Sequence, residues 1–401
     1  MADAGGLGDP GPMTAPALPG FLVRDFVPLP GRADELAASA GREDTYPIHV
    51  VEDGGRLADL LIAALDGASA ALITDDTVEV LYAGELLARL REAGIDVLVH
   101  SVPAGEASKD LGRAVELWDW LARSSIGRRD VVINLGGGVV CDLGGWVASA
   151  YMRGLPYINA PTTLLAQVDG ALGGKTAVNH RVAKNLLGAF HQPVAVISNV
   201  GYLQSCSRRH LAAGVAEVIK KAMIASPECW AMLEDSAERL LARDAEALIE
   251  LVRAASAIKS ELVRRDPYEL DLRRPLNFGH TIGHPLETVT GYGPLLHGEA
   301  VAFGMVVESR IAVTRGLLDP GLLERLLGLL RRFDLPTEAR DLRAPVDGEA
   351  LLAAMEKVRL IRAGSLRFVL PRSLGESVIA DAIGQQEIRG ALRASGVELA
   401  G

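Results

Sequence analysis

Cysteine is scarce in this chain. Its 401 residues include three cysteines, Cys141, Cys206 and Cys229, an odd number with no CxxC spacing. Proteins stabilised by disulfides carry paired cysteines, so this pattern argues against that class and favours reduced thiols in a cytoplasmic protein. We assign no catalytic role to Cys141.

Blocks of basic residues and long apolar runs are missing as well. The formal net charge is -10 and the sequence pI is about 5.4, so no nucleic-acid partner is expected, and any anionic ligand must be held by local cations. No run of about 18 uncharged apolar residues is present, which argues against a membrane span. The first residues, MADAGG, are acidic early and lack the basic-then-apolar layout of a secretory signal.

Composition and periodicity divide the chain into an arm and two domains. Residues 1–45 are rich in Gly, Pro, Ala and Asp, which predicts a flexible N-terminal arm. From 46 to 203 strand patterns alternate with helical ones, which predicts an α/β domain whose wound parallel sheet binds ligands at the carboxyl ends of its strands. From 204 to 401 the period is helical, which predicts an all-α domain.

Three consecutive glycines, Gly136, Gly137 and Gly138, lie between the apolar strand VVINL and a predicted helix. Glycine there lets the backbone approach a pyrophosphate at a helix N-terminus. The spacing is not GxGxxG, however, and taken alone the turn is better explained as a structural strand-to-helix connection. Asp75 follows another predicted strand and could accept a hydrogen bond from a ribose, although a solvated loop carboxylate is the simpler interpretation of that residue alone.

The candidate metal ligands lie in the second half of the chain. His280 and His284 are four residues apart, which places them on one helical face, and His297 follows nearby. Glu217 and Lys220 are three apart on another predicted helix. Glu217 with two histidines would supply the three ligands of a zinc site with an open position. An HxxxH pair also arises by chance, but the density of polar groups between residues 273 and 297 favours a site.

Several motifs match a known family together. They are GEASK, GGGVVCD, YMRG, PTTLLAQVD, GGKTAVNH, KNLLGAF, AEVIKKA, LNFGHTIGH and LHGEAVA. From about Tyr46 to Gly375 the chain therefore resembles 3-dehydroquinate synthase and the wider sugar phosphate cyclases, which close phosphorylated seven-carbon sugars into carbocycles. The resemblance implies a wound NAD-binding domain, an α-helical domain, and an active site between them with one divalent metal, usually zinc and in some cases cobalt. It also implies a homodimer.

The resemblance assigns roles to residues by motif. NAD would be held by Asp75, Glu106, Lys109, Gly137, Gly138, Asp142, Thr162 and Thr163. The metal would be held by Glu217, His280 and His297. Catalytic roles would fall on Asp169, Lys175, Lys220, Lys259 and His284, the last placed behind the metal ligands or on the phosphate. Substrate would be bound by Lys184, Asn185, Arg273 and Asn277, with Arg153 reaching the phosphate in the neighbouring subunit. Arg359, where the family usually has Asp-Lys-Lys, would replace a missing phosphate contact.

The implied reaction is a cyclisation with transient oxidation by NAD, phosphate elimination, re-reduction and an internal aldol closure. Because Lys259, Arg273, Asn277 and His284 match the 3-dehydroquinate synthase pattern, the expected substrate is 3-deoxy-D-arabino-heptulosonate 7-phosphate. Three departures leave a specialised cyclase open, whether of the amino-dehydroquinate, valiolone or deoxy-scyllo-inosose type. They are Val358-Arg359-Leu360 in place of Asp-Lys-Lys, Pro285 after His284, and NHRVAKN. A metal-dependent polyol dehydrogenase is the alternative from another enzyme class.

Overall fold

The structure is a computed structural model that describes residues 35–39, 45–181, 184–268, 274–361 and 366–400. Its strands are β1 (Glu35–Ser39), β2 (Thr45–Val51), β3 (Ala70–Asp75), β4 (Val97–Val102), β5 (Val131–Gly136), β6 (Tyr157–Pro161), β7 (Lys175–Val178), β8 (Leu187–Phe190), β9 (Ala195–Asn199), β10 (Phe368–Ser373) and β11 (Glu376–Ala380). Its α-helices are α1 (Gly54–Leu65), α2 (Asp76–Val78), α3 (Gly84–Glu92), α4 (Leu111–Arg123), α5 (Gly138–Ala150), α6 (Arg208–Ala225), α7 (Pro227–Leu241), α8 (Ala245–Arg265), α9 (His280–Val289), α10 (His297–Thr314), α11 (Pro320–Arg332), α12 (Gly348–Ile361) and α13 (Gln385–Ala394).

The first domain is built on a seven-stranded sheet in the order β1-β2-β9-β6-β5-β3-β4. The strands from β2 to β4 in that order run parallel, and β1 pairs antiparallel at the edge. The central strand β5 is buried along its whole length, as expected where helices cover both faces of a parallel sheet. Leu57 of α1 packs on one face and Leu117 of α4 on the other. The predicted wound α/β domain is therefore confirmed.

Strand β1 lies inside the segment for which the sequence predicts a flexible arm. Its backbone pairs in register with β2, from Glu35 opposite His49 to Ser39 opposite Thr45. Regular structure therefore begins earlier than Tyr46. The Gly- and Pro-rich composition does not indicate this strand, because the pairing depends on a partner strand and not on local propensity.

The second domain is helical and centred on α6, which is buried along most of its length against α7, α8 and α10. Side-chain caps define where the helices begin: Ser207 accepts from His210 N at the start of α6, and Asp244 accepts from Ala247 N at the start of α8. The predicted all-α domain is correct except for the β10–β11 hairpin, which packs on α10 and α6. Among the described residues, no helix combines the length and apolar character needed to cross a bilayer.

Candidate active site

The glycine turn at the carboxyl end of β5 exposes backbone at the start of α5. A Cβ on Gly136 would lie 2.5 Å from Cγ2 of Val140, so the turn is too tight for a side chain there. A Cβ on Gly138, the first residue of α5, would meet no described protein atom within 4 Å. Thr162 N donates to Gly136 O at 2.9 Å, and Thr163 is the neighbour that a Cβ on Gly137 would meet, at 3.2 Å. The structure thus brings together Gly137, Gly138, Thr162 and Thr163, around a helix N-terminus suited to an anion.

Asp75 lies at the carboxyl end of β3, in the same sheet. Its Oδ1 accepts from Thr77 N at 3.1 Å and from Val78 N at 2.9 Å. Burial raises the pKa of Asp75 by more than these hydrogen bonds lower it. The carboxylate therefore has a local capping role, which is compatible with a contact to a ribose but does not require one.

Four residues predicted to bind NAD or phosphate form one polar network beside this turn. Lys109 is 4% exposed, forms an ion pair with Asp142, and donates to Oδ1 of Asn185 at 2.5 Å. Asn179 joins the network, since its Nδ2 donates to Glu106 Oε1 at 2.8 Å and its Oδ1 accepts from Asn185 N at 3.0 Å. Burial raises the pKa of Asp142 despite the neighbouring ammonium of Lys109. The separate motifs GEASK, GGGVVCD and KNLLGAF therefore meet in space.

The helical domain brings Glu217, His280 and His297 together from α6, α9 and α10. Oε1 of Glu217 lies 3.7 Å from Nε2 of His280 and 3.6 Å from Nε2 of His297. Glu217 is fully buried, and no hydrogen bond from the described residues reaches its Oε1. A buried carboxylate oxygen facing two imidazole nitrogens at these distances fits a divalent metal such as zinc.

His284 lies in the same cluster of imidazoles. Its ring centroid is 4.9 Å from that of His280 and 5.8 Å from that of His297, and ligand atoms of the three rings lie within 4.8 Å of one another. His284 is the exposed member of the group. The geometry therefore allows a metal held by Glu217 with two histidines, and also one held by the three histidines.

Close helix packing explains why ligands from three helices converge. A Cβ on Gly298 of α10 would lie 1.9 Å from the carbonyl oxygen of Ala213 in α6. A Cβ on Gly304 would lie 1.9 Å from the carbonyl oxygen of Gly279, the residue before α9. Glycine at these positions lets the backbones approach more closely than any side chain would permit.

A group of buried charges joins the metal ligands to the sheet domain. Lys220 Nζ lies 2.5 Å from Oε2 of Glu217, and Lys221 Nζ lies 3.6 Å from the same oxygen. Asp169, in a π-helical turn after β6, accepts from Lys221 and Lys259 at 3.0 Å each. Two catalytic candidates, Asp169 and Lys259, are therefore in direct contact, and Lys221 connects Asp169 to the metal-ligand candidate Glu217.

The electrostatics of this group favour charged carboxylates and a neutral His280. Burial opposes the charges of Glu217 and Asp169, but the adjacent ammonium groups outweigh it and hold both pKa values well below the usual range. Burial, with the nearby charge of Lys220, lowers the pKa of His280 well below its usual value. A neutral imidazole beside an ionised carboxylate is the state in which both bind a metal.

His297 carries the opposite shift. Burial disfavours its protonated form, but the neighbouring carboxylates of Glu217 and Glu287 outweigh burial and raise the pKa of His297 to about 10. Burial likewise opposes the charge of Glu287, and His297 with Lys184 lowers its pKa to about 2. A metal that binds at Nε2 of His297 must therefore displace a proton.

Other predicted site residues lie at the edges of this region. Lys175 and Asn185 are exposed on and beside the β7–β8 hairpin, and Arg153 is exposed after α5 with φ 71°. Asn277 lies in the 3-10 turn directly before α9. Arg273 lies outside the described residues.

Pro285 lies inside α9, beyond its first turn, so one backbone hydrogen bond of that helix is absent.

Arg359 is on α12 and pairs with a residue of its own helix. Its guanidinium lies 2.5 and 2.8 Å from the two oxygens of Glu356, and both side chains are 41% exposed. It also lines a cavity of about 610 Å³ between α12 and the segment leading into α13. The structure therefore gives Arg359 a peripheral position.

Three residues close to the site are not indicated by the motifs. The motif AEVIKKA indicates Lys220 and not its neighbour Lys221, although both lie on α6. Glu287 accepts from Nδ1 of His297 at 3.0 Å, and Glu308 of α10 accepts from Gly279 N at 3.0 Å at the start of α9. Glu287 lies seven residues after His280, so the helical period offered a signal for it. No comparable spacing in the sequence indicates Glu308.

A sheet domain with a glycine-rich anion site, joined to helices with a carboxylate-histidine cluster, defines the class of two-domain enzymes that combine a nucleotide with a metal. Family models place the chain within that class. The model for the 3-dehydroquinate synthase N-terminal domain matches residues 99–213, and the model for its C-terminal domain matches residues 214–359. The chain belongs to the 3-dehydroquinate synthase family of sugar phosphate cyclases and is an enzyme of that family.

Individual relatives match most of the chain. It is 53% identical to 2-epi-valiolone synthase of Actinosynnema mirum over 95% of this chain and 99% of the relative. It is 44% identical to 3-dehydroquinate synthase of Desulforamulus reducens over 77% of this chain and 86% of the relative. Among solved structures, ValA, the 2-epi-5-epi-valiolone synthase of Streptomyces hygroscopicus subsp. jinggangensis 5008 with NAD+ and Zn2+ bound, has a TM-score of 0.82 at 31% identity, covering 88% of this chain and 98% of ValA.

Proposed function

We propose that this enzyme is a cyclase of specialised metabolism that converts sedoheptulose 7-phosphate to a valiolone-type carbocycle with release of phosphate. The observation that carries the proposal is the 53% identity to 2-epi-valiolone synthase over 95% of the chain, against 44% over 77% for 3-dehydroquinate synthase. The comparison favours the specialised alternative over 3-deoxy-D-arabino-heptulosonate 7-phosphate, the substrate expected from the sequence.

One departure from the 3-dehydroquinate synthase pattern is compatible with the same substrate class. Sedoheptulose 7-phosphate lacks the carboxylate of the heptulosonate and so carries one anionic group fewer. The segment Val358-Arg359-Leu360 carries one cation where Asp-Lys-Lys carries two, and the guanidinium of Arg359 is engaged by Glu356.

NAD and one divalent metal, zinc or cobalt, are the proposed cofactors, by analogy with the NAD+ and Zn2+ bound to ValA. When bound, they supply a reversible hydride acceptor and a Lewis acid for the sugar oxygens. Glu217, His280 and His297 would hold the metal, with His284 beside them. The backbone of Gly137 and Gly138 at the N-terminus of α5 would receive the NAD pyrophosphate, flanked by Asp142 and Lys109.

The remaining polar side chains would handle protons and phosphate. Burial lowers the pKa of Lys220 despite the opposing charge of Glu217, so its ammonium gives up a proton more readily than that of an exposed lysine, as proton transfer at a sugar hydroxyl requires. Asp169 would orient the sugar while Lys221 and Lys259 fix its carboxylate. Lys175, Lys184 and Asn185 would bind the phosphate as point charges and donors at the rim of the cleft.

A homodimer is part of the proposal. Met152 and Arg153 both have positive φ, 50° and 71°, and both are exposed at the end of α5. Non-glycine residues in this conformation are uncommon and are concentrated at functional positions. An Arg153 side chain held outward in this way is suited to reach the phosphate in a neighbouring subunit.

The test is to incubate zinc-loaded protein and catalytic NAD separately with sedoheptulose 7-phosphate, the heptulosonate phosphate and glucose 6-phosphate. Phosphate release is measured together with NADH absorbance, and His280→Ala serves as the inactive control. We expect phosphate release from sedoheptulose 7-phosphate and from neither of the other two sugar phosphates, without lasting accumulation of NADH. Release only with the heptulosonate would instead support 3-dehydroquinate synthase, the second candidate favoured by the relative in Desulforamulus reducens. Lasting NADH without phosphate release would support a polyol dehydrogenase.

A further inference from the structure

Glu287 is a buried carboxylate that connects a candidate metal ligand to a candidate phosphate-binding residue. It lies on α9, and its residue is 5% exposed. Its Oε2 accepts from Nδ1 of His297 at 3.0 Å, while its Oε1 lies 3.5 Å from Nζ of Lys184. The motif assignments gave Glu287 no role.

The two nitrogens of His297 face different partners. Nε2 lies 3.6 Å from Oε1 of Glu217, in the space suited to a metal, and Nδ1 faces Glu287. A histidine that binds a metal through Nε2 keeps its proton on Nδ1, and a carboxylate that accepts this proton fixes the tautomer, orients the ring and makes Nε2 more basic.

The contact to Lys184 is the looser of the two. Lys184 is 27% exposed at its side chain and lies 3.7 Å from Glu106 as well as 3.5 Å from Glu287. Its ammonium also lies 4.4 Å from the ring centroid of Tyr292. Because this ammonium is shared among several partners, an ion pair with Lys184 does not by itself explain a carboxylate as buried as that of Glu287.

We propose that Glu287 is a positioning residue of the metal site, which holds His297 in its metal-binding tautomer and orientation and connects that site to Lys184 of the sheet domain. This inference rests on the proposed metal site. It adds a residue that acts through His297 without touching the metal or the sugar. Loss of such a carboxylate behind a ligating histidine typically costs about 10- to 100-fold in metal affinity.

The experiment measures zinc affinity of the full chain after chelator treatment, by competition with a chromophoric chelator and without any sugar. We expect Glu287→Gln to bind zinc about 10- to 100-fold more weakly than the unaltered protein. The matched control is Glu299→Gln, which neutralises another buried glutamate nearby on α10, one that pairs with Arg209 at 2.6 Å. We expect the control to lose less than about tenfold in zinc affinity, because its carboxylate pairs with Arg209 and not with a histidine of the site.

The cobalt-loaded proteins provide a second measurement that a purely structural role would not affect. We expect the visible absorption of bound Co2+ to change in Glu287→Gln and to stay the same in Glu299→Gln, because only the first alters the orientation of a ligand. Thermal unfolding of the metal-free variants checks that both are folded. Should Glu287→Gln fail to fold, Glu287→Asp keeps the charge but withdraws it from Nδ1, and a smaller loss of zinc affinity is expected.

Unchanged zinc affinity and cobalt spectrum in Glu287→Gln would overturn the proposal, as would an equal loss in both glutamine variants. Wild-type affinity in Glu287→Asp, where that variant replaces the first, would do the same. Since no sugar is present, these outcomes are independent of which substrate the enzyme uses. A wrong substrate assignment and a wrong role for Glu287 are therefore distinguishable.

Discussion

The candidate site has two sides, one from each domain, and they are built from different parts of the polypeptide. The sheet domain presents backbone, at Gly137 and Gly138 and the first turn of α5, where a Cβ on Gly138 would meet no described protein atom. The helical domain presents buried charged side chains, with Glu217, Lys220 and Lys221 each no more than 2% exposed. Backbone amides can bind the invariant pyrophosphate of a nucleotide, whereas a metal and reacting protons need side chains whose pKa values are adjusted by their neighbours.

This difference implies that the two cofactors bind through separate sets of contacts. Ion pairs between described residues connect the two sides. Asp169 pairs with Lys221 and Lys259, and Lys184 lies near Glu287. Neither connection includes the glycine turn. A substitution at the turn should therefore weaken NAD binding and leave zinc binding unchanged, whereas a substitution at the metal cluster should weaken zinc binding and leave NAD binding unchanged.

The largest effect is expected from removing a metal ligand. In His280→Ala, zinc binding and turnover should be abolished, because one nitrogen ligand is lost from a site with about three. NAD affinity, measured by fluorescence titration, should stay within about threefold of the unaltered protein, since NAD binds mainly to the other side. Unchanged zinc content in this variant would remove His280 from the ligand set. A parallel loss of NAD affinity would show that the two sides are not independent.

The reciprocal effect is expected at the glycine turn. In Gly138→Ala, the added methyl group meets no protein atom within 4 Å but occupies the space through which a pyrophosphate approaches α5. NAD affinity should fall about tenfold or more, equivalent to ~1.4 kcal/mol, while zinc affinity stays the same. The matched control is Gly84→Ala, at the first residue of α3, where a Cβ also meets nothing within 4 Å.

The control should keep full NAD affinity and unfold at the same or a slightly higher temperature, because alanine stabilises a helix relative to glycine. If Gly138→Ala binds NAD as tightly as this control, the turn is only a structural connection between strand and helix. That was the simpler explanation of the three glycines taken alone.

The family motifs name most of the candidate site residues because each motif carries its polar groups within a few residues. The resemblance assigned Glu217, His280 and His297 to a metal and Lys109 and Asp142 to the nucleotide, and the structure brings the members of each group close together. The wound sheet was also predictable, since strands such as β5 are continuous apolar runs. Strand β1 and the β10–β11 hairpin were missed, because their pairing depends on distant partners and not on local pattern.

The supporting residues were harder to find for a geometric reason. Glu287 meets His297 only because α9 and α10 pack closely enough for Gly304 to contact the carbonyl of Gly279. Glu308 reaches Gly279 N from 29 residues away. No spacing in the sequence encodes a contact between two helices whose crossing is fixed by packing. The substrate was hard to predict for a different reason, since it depends on a few positions outside the shared motifs, including the segment around Arg359.

The smallest effect is expected at Arg359, which lies on α12 and belongs to neither side of the site. Both ends of its ion pair with Glu356 are 41% exposed, and such pairs are screened by solvent. Arg359→Ala should leave zinc and NAD affinity unchanged and raise KM for the sugar phosphate by about threefold at most, with kcat unaltered, because loss of an exposed contact weakens uniform binding. Steady-state kinetics with Glu356→Gln as the matched control measures this, since that variant releases the guanidinium without removing it. A tenfold or larger rise in KM in Arg359→Ala alone would mean that the guanidinium leaves Glu356 to bind the substrate. The position that departs most from the family pattern would then be a direct determinant of specificity, and the site would have a third functional side on α12.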